Sequence, residues 1–250
     1  MFEALLARGE HLARIEAARA RMRFVNGVDW LLRDPKTVVG QTPFDVVWKD
    51  GIASLRQYRL PGVKPKHKVP LVLVPPLMVQ AFIFDLHGGR SMVRFFLERG
   101  YRVYLLDFGK PERADALVSL ENYVCDWIPA ASAVAMKAEK ATSVSLLGYC
   151  MGALFALSHA AVSRDVAVKN IVSIAAPMDT HKMGMLAWVM QRVPVDQVAK
   201  RMGNVPGPVS SLGFRMLTPA KNLTRYADLF MNMYDQDYVN GFDSMNQWMS

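Results

Sequence analysis

The segment from Val144 to Val162 limits the possible fold more than any other part of the sequence. It reads V-S-L-L-G-Y-C-M-G-A-L-F-A-L-S-H-A-A-V: a strand-favouring apolar stretch, then Gly-Tyr-Cys-Met-Gly, then an apolar run without glycine or proline. A strand that turns sharply into a helix at a nucleophile needs glycine two residues before and two after it, because larger side chains would crowd both elements. The segment therefore predicts a strand–turn–helix unit, a nucleophile elbow, with Cys150 at the turn.

Cys150 is accordingly the candidate nucleophile, with Gly148 and Gly152 as the elbow glycines. The turn would hold its sulfur above a sheet at the N-terminus of a helix, where the helix dipole favours the thiolate, the attacking species. The alternative is that this cysteine is a small apolar core residue, as free cysteines commonly are. We assign a structural role instead to Cys125, which lies in a helical-looking stretch without flanking glycines.

Composition and charge exclude several classes of protein. A chain of 250 residues, 52% hydrophobic and 21% charged, can form one large α/β domain with a buried core. Two cysteines form no disulfide framework, which predicts a cytoplasmic location, and we expect neither a signal peptide nor a transmembrane segment. The net charge of +8 favours anionic partners such as acyl-CoA. No nucleic-acid motif occurs, and we expect no metal and no cofactor.

Apolar runs alternate with helical segments over roughly the first 180 residues. This alternation predicts right-handed βαβ crossovers and a mainly parallel sheet. The predicted helices are 3–33, 91–99, 120–138 with a kink near Pro129, and 151–162. The predicted strands are two within 43–60 around the turn Lys49-Asp50-Gly51, followed by 69–74, 102–107, 144–147 and 170–175. We expect the last four to be neighbouring and buried, because their apolar runs lack the alternation of a half-exposed strand.

The sequence divides into three predicted regions. Residues 1–36 form an N-terminal helical segment, residues 37–179 an α/β-hydrolase-like core that contains the elbow, and residues 180–250 a cap or lid region rich in Met and Trp. Reactive groups of such a core gather at the carboxyl ends of its parallel strands. Two of these ends carry Cys150 and Pro75-Pro76-Leu77.

Several features of residues 70–111 occur together with the elbow. They are the Pro-rich strand end Pro75-Pro76, the step Phe82-Ile83-Phe84-Asp85-Leu86, Ser91 at a helix start, and Gly100-Tyr101-Arg102-Val103 leading to Phe108 and Pro111. With the upstream run G-Q-T-P-F-D-V-V-W-K-D-G-I-A-S-L-R-Q-Y-R, this combination resembles the polyhydroxyalkanoate synthase family over roughly residues 37–180. Phe108 stands where that family usually has Trp, and Ala153 where it usually has another Gly.

The resemblance implies a polyester synthase. Such enzymes take (R)-3-hydroxyacyl-CoA, form an acyl-Cys intermediate with release of CoA, and extend a polyester chain. The oxyanion of the reaction needs two backbone donors, one of them the N–H after the nucleophile, here Met151. Because Pro75 and Pro76 have no N–H, Leu77 is the first possible second donor, with Met78 next.

The family also implies partners and a place in the cell. We expect the growing polyester chain as a partner and the polyester granule surface as a location within the cytoplasm. A homodimer and a second synthase subunit both remain open from the sequence.

The catalytic acid and base that the resemblance requires are not found in this chain. In α/β-hydrolase order they follow the nucleophile on later strands, whereas the last histidine here is His181. Asp179 and His181 are poorly placed candidates, because they follow the strand directly after the elbow. His159 would lie on the elbow helix and point away from the thiol. His87 could line a substrate entrance, but we predict that it is a surface residue.

We therefore expect the sequence to be truncated at its C-terminus. We also expect no histidine within hydrogen-bond reach of the Cys150 sulfur, and residues 180–250 to be less ordered or paired with another chain. Two other functions stay open: a Cys-nucleophile acyltransferase or thioesterase of the same fold, and a non-catalytic granule-associated relative that lacks the acid and base.

Overall fold

The computed structural model describes residues 2–33, 39–77, 79–163, 167–182 and 219–248, together with 187–188, 191–194 and 197. The strands are β1 (Phe44–Asp50), β2 (Ala53–Tyr58), β3 (Pro70–Val74), β4 (Arg102–Asp107), β5 (Val144–Tyr149) and β6 (Val168–Ile174). The α-helices are α1 (Phe2–Leu32), α2 (Met92–Glu98), α3 (Ile128–Glu139), α4 (Met151–Val162), α5 (Pro219–Asn232) and α6 (Gln236–Trp248). Short 3-10 helices lie at Ala81–Phe84, Arg113–Asp115 and Thr180–Lys182, and a π-helix at Asn122–Trp127.

The described strands form one six-stranded sheet in the order β1-β2-β4-β3-β5-β6. β1 and β2 are an antiparallel hairpin, which turns at Gly51 with φ of +53°. β2 pairs antiparallel with β4, and β4, β3, β5 and β6 are mutually parallel. The prediction of a mainly parallel sheet with four neighbouring strands is confirmed.

The central strands β4, β3 and β5 are buried between two helical layers, which explains their continuous apolar runs. One face, with Val72, Tyr104 and Leu146, packs against α3, α4 and the π-helix. The other face, with Leu73 and Leu105, packs against α2 and the Ala81–Phe84 turn.

β6 differs from the expectation that it is buried. Four of its seven residues are exposed, and Val172 is 46% exposed. β6 pairs with β5 on one edge, and no other strand among the described residues pairs with it. An apolar run predicts a strand but not whether a neighbour covers its second edge.

The kink predicted near Pro129 is a change of helix type. The π-helix Asn122–Trp127 runs directly into α3, and Pro129 is the second residue of α3. Because proline has no N–H, it donates no hydrogen bond to the preceding helical turn. The π-helix places Tyr123 against Phe108, with ring centroids 4.9 Å apart, and Phe155 of α4 packs against both rings. Phe108 is thus a buried aromatic anchor for α4.

The N-terminal helix holds the two C-terminal helices. Arg33 pairs with Asp243 of α6 at 2.6 Å, and the indole N–H of Trp30 donates to the other oxygen of the same carboxylate at 2.8 Å. The Asn26 amide donates to the carbonyl of Met233 at 2.7 Å. Residues 219–248 are therefore anchored within this chain, whereas we expected the region 180–250 to be less ordered or paired with another chain. Most of residues 183–218 lies outside the described residues.

The connection from β5 to α4 leaves no room for side chains at its two glycines. A Cβ atom on Gly152 would overlap the carbonyl oxygens of Val74 and Pro75 and lie 2.7 Å from the Val74 carbonyl carbon. A Cβ on Gly148 would lie 2.5 Å from the Ala153 nitrogen. The helix therefore starts in direct contact with the backbones of both β3 and β5.

Replacing Gly152 by alanine should lower the free energy of unfolding by about 3 kcal/mol, because the new methyl group meets rigid backbone. Urea unfolding monitored by circular dichroism measures the change. Gly9→Ala is the matched control, since a Cβ there has nothing within 4 Å, and alanine in a helix should raise stability by about 0.5–1 kcal/mol. A Gly152→Ala protein as stable as the unmodified one would contradict the close packing.

Candidate active site

Cys150 lies between the last residue of β5 and the first of α4, in a strained backbone conformation. Its φ is +53° and its ψ −121°, which L-residues rarely adopt, and such strain concentrates at functional sites. Two hydrogen bonds pin it: the Cys150 N–H donates to the Ile174 carbonyl at 2.8 Å, and its carbonyl accepts from the Ala153 N–H at 3.0 Å. The turn is thus fixed by its neighbours on both sides.

The two cysteines occupy different environments. Cys150 is partly buried at the N-terminus of α4, a 12-residue helix whose dipole adds partial positive charge near the sulfur. Cys125 is exposed on the π-helix, so the structural role predicted for it is not one of core packing.

The backbone positions predicted for an oxyanion hole meet at the same edge of the sheet. The N–H of Met151 opens α4, where no intrahelical acceptor exists. Leu77 follows β3, which is paired in parallel with β5 so that Val74 lies opposite Gly148. Leu77 and Met151 both pack their side chains against the same core cluster. Met78, the alternative donor, lies outside the described residues.

A buried carboxylate organises the β3–α2 loop (residues 75–91). Asp85 is 2% exposed and accepts hydrogen bonds from the Thr42 N–H at 2.9 Å, the Thr42 hydroxyl at 2.8 Å and the Ser91 hydroxyl at 2.5 Å. Ser91 in turn caps α2 by accepting from the Arg94 N–H. Asp85 and Ser91 stand out in the sequence, but no local signal connects either of them with Thr42.

Three of the five histidines are candidates from the sequence, and they lie in three distinct places. His87 is 2% exposed, not on the surface as predicted; burial lowers its pKa, Asp237 opposes this shift and Arg90 reinforces it. His159 is buried near the far end of α4, about 13 Å along the helix from Cys150, with its Nδ1 3.0 Å from the Val124 carbonyl.

His181 is exposed and lies 3.5 Å from Asp179, so the Asp–His pairing weighed from the sequence exists as a surface contact. That Cys150 lacks a histidine base stays a prediction.

Helix α6 reaches the edge of the sheet that carries Cys150. The ring of Trp248, the last residue of α6, lies 6.5 Å from the ring of Tyr149, the residue before Cys150. The Gln80 N–H of the β3–α2 loop donates to the Trp248 carbonyl at 3.4 Å. Sequence reasoning missed this approach, since nothing local links α6 with the turn.

A separate cavity of about 380 Å³ lies at the opposite edge of the sheet. Arg102, the first residue of β4, and Glu139, the last of α3, line it together with Tyr58 and Tyr101. It is therefore remote from Cys150. Within the described ranges, no group of three His, Cys, Asp or Glu side chains is arranged to hold a metal ion, and no helix is both long and apolar enough to cross a membrane.

Comparison with known proteins identifies relatives over most of the chain. Residues 35–96 match the family model for the N-terminus of poly-beta-hydroxybutyrate polymerase (PhaC). The PhaC subunit of poly(3-hydroxyalkanoate) polymerase from Haloferax mediterranei is 33% identical over 85% of this chain and 44% of its own length. The PhaC subunits from Thiocystis violacea and Synechocystis are 32% and 30% identical, over 89% and 91% of this chain and 63% and 62% of their own.

The chain thus spans between 44% and 63% of the length of these three relatives. Among solved structures, a carboxylesterase from Nitrososphaera gargenis is similar, with a TM-score of 0.44 and 17% identity over 83% of this chain and 71% of that one. The sheet order, with a helix entering directly after β5, is that of an α/β-hydrolase-like fold. By sequence, the chain is thus similar to the PhaC subunits of poly(3-hydroxyalkanoate) polymerases over most of its own length.

Proposed function

We propose that this chain carries the nucleophile of a polyester synthase, which transfers (R)-3-hydroxyacyl groups from CoA to a growing polyester. The observation that carries the proposal is the conformation of Cys150. Its strained backbone is pinned between β5, β6 and α4, and its flanking glycines allow the helix to start directly behind the sulfur. This is the geometry that a nucleophile elbow requires.

The first half of the reaction is thioester exchange. The Cys150 thiolate attacks the carbonyl carbon of the acyl-CoA, a new C–S bond forms, and the CoA thiolate leaves. The N–H groups of Met151 and Leu77 stabilise the oxyanion of the tetrahedral intermediate. Because one thioester replaces another, the exchange costs little free energy and the acyl group stays activated. A serine nucleophile would form an ester and lose much of that activation.

The second half transfers the acyl group to oxygen. A hydroxyl oxygen of a 3-hydroxyacyl unit attacks the acyl-Cys carbonyl, the C–S bond breaks, and the thiolate of Cys150 is regenerated. The hydroxyl proton must pass to a base. We do not assign that base, or its acid partner, to a residue of this chain.

The partners follow from the same chemistry. The substrate is anionic through its CoA phosphates, which suits the net charge of +8. The product is a water-insoluble polyester, so we place the protein at the granule surface. We further propose that the protein works either as a homodimer or together with a second synthase subunit.

We predict that the acyl group is found on Cys150. The full-length protein, incubated with (R)-3-hydroxybutyryl-CoA and quenched in acid, should yield a Cys150 peptide heavier by one hydroxybutyryl unit on mass spectrometry. Cys125→Ser is the matched control and should leave the adduct in place, although Cys125 is the more exposed thiol. An adduct on Cys125 alone would refute Cys150 as the nucleophile.

Cys150→Ser should lower the rate of CoA release by at least about 100-fold, because a serine hydroxyl stays protonated near neutral pH unless a base removes its proton. Absorbance assay of free thiol measures the rate, and Cys125→Ser should remain within about twofold of the unmodified protein. Recovery of free 3-hydroxy acid in place of polymer would show a thioesterase instead. CoA release by Cys150→Ser at the rate of Cys125→Ser would point to another nucleophile. Absence of CoA release from both variants and from the unmodified protein would point to a non-catalytic relative.

A further inference from the structure

The last turn of α6 contacts residues next to both segments that form the proposed oxyanion hole. Trp248 contacts the ring of Tyr149, which precedes Cys150, and its carbonyl accepts from Gln80, three residues after Leu77 in the β3–α2 loop. The indole of Trp248 therefore packs beside the residue that precedes the proposed nucleophile.

Helix α6 is held rigidly in this position. Five residues before Trp248, Asp243 is buried, and its carboxylate is bound by Trp30 of α1 and by Arg33, which follows α1. On the side facing the β3–α2 loop, Gly241 lies against His87, where an added Cβ would be 3.8 Å from the imidazole Nε2. The helix is thus fixed from two directions, and a fixed helix can present a side chain with precision to a ligand.

The indole N–H of Trp248 is buried and has no hydrogen-bond partner among the described residues. An indole N–H can only donate, and a buried donor without an acceptor opposes folding. The other tryptophan of this helical layer, Trp30, has its N–H satisfied by Asp243. An unpaired donor beside a proposed active site is therefore a group that a ligand oxygen would complete.

We propose that Trp248 binds the 3-hydroxyl oxygen of the acyl group and selects 3-hydroxyacyl thioesters over unsubstituted ones. This inference rests on the proposed function, in which the carbonyl oxygen already has its donors in Met151 and Leu77. The 3-hydroxyl is the remaining oxygen of a 3-hydroxyacyl group, and it is the feature that distinguishes this substrate from a simple acyl-CoA. A site built to hydrogen-bond a substrate hydroxyl discriminates strongly against the analogue that lacks it.

The test compares equilibrium binding of (R)-3-hydroxybutyryl-CoA and butyryl-CoA by calorimetry, in a Cys150→Ala background that cannot be acylated there. With Trp248 present, the hydroxylated thioester should bind about tenfold more tightly. Trp248→Phe retains an aromatic ring but loses the N–H, and it should reduce the preference to within about twofold while leaving the Kd of butyryl-CoA unchanged.

Trp30→Phe is the matched control, because it removes an indole N–H that has a structural acceptor. Trp30→Phe should unfold at a lower urea concentration and keep the preference for the hydroxylated thioester. Trp248→Phe should unfold at the same urea concentration as the protein with Trp248. Three results would overturn the inference. One is that Trp248→Phe raises the Kd of both thioesters equally, and another is that the protein with Trp248 shows no preference for the hydroxylated thioester. The third is a fall in the midpoint of urea unfolding for Trp248→Phe like that for Trp30→Phe. The two proposals can fail separately. If Trp248→Phe loses the binding preference but the unmodified protein is never acylated on Cys150, the proposed chemistry is refuted and the role of Trp248 in binding stands.

Discussion

The contact between the first turn of α4 and the backbone of β3 determines most of what this structure can do. Gly152 lies against the carbonyl groups of Val74 and Pro75, so helix and strand approach as closely as two backbones can. With α4 held there, the chain has one residue in which to leave β5 and enter the helix. That residue is Cys150, which accordingly takes a positive φ, and its position follows from the packing of elements on both sides.

Such strain persists only if the surroundings over-determine it. The Ile174 carbonyl holds the Cys150 N–H from β6, and Phe155 ties α4 to the aromatic cluster around Phe108. The β3–α2 loop is fixed in the same way, since Asp85 gathers the Thr42 backbone and two hydroxyl groups around one carboxylate. Nucleophile and loop are therefore positioned by different sets of hydrogen bonds and ring contacts, and both lie at the carboxyl edge of the sheet.

Some of these features depend on local sequence and others on contacts between distant segments, and this difference explains which of them could be predicted from the sequence. β4, β5 and α4 follow from local apolar patterns and from the glycines around Cys150, so their positions agree with the structure to within two residues. The burial of His87, the link from Thr42 to Asp85 and the approach of Trp248 to Tyr149 depend on contacts between distant segments. The exposure of β6 has the same origin, because the composition of a strand does not reveal whether a second neighbour pairs with it.

The same difference bears on how the proposed reaction is distributed over the molecule. Thioester exchange at Cys150 needs a thiolate and two backbone donors, and all three positions belong to the rigid edge formed by β3, β5 and α4. Transfer to a hydroxyl needs in addition a group that accepts a proton, and we assign that group to no residue of this chain. On the proposed mechanism, capture of the acyl group is thus a property of the sheet edge itself. Its onward transfer needs a proton acceptor as well, and α6 shows that a distant segment can bring a side chain, Trp248, to the same edge.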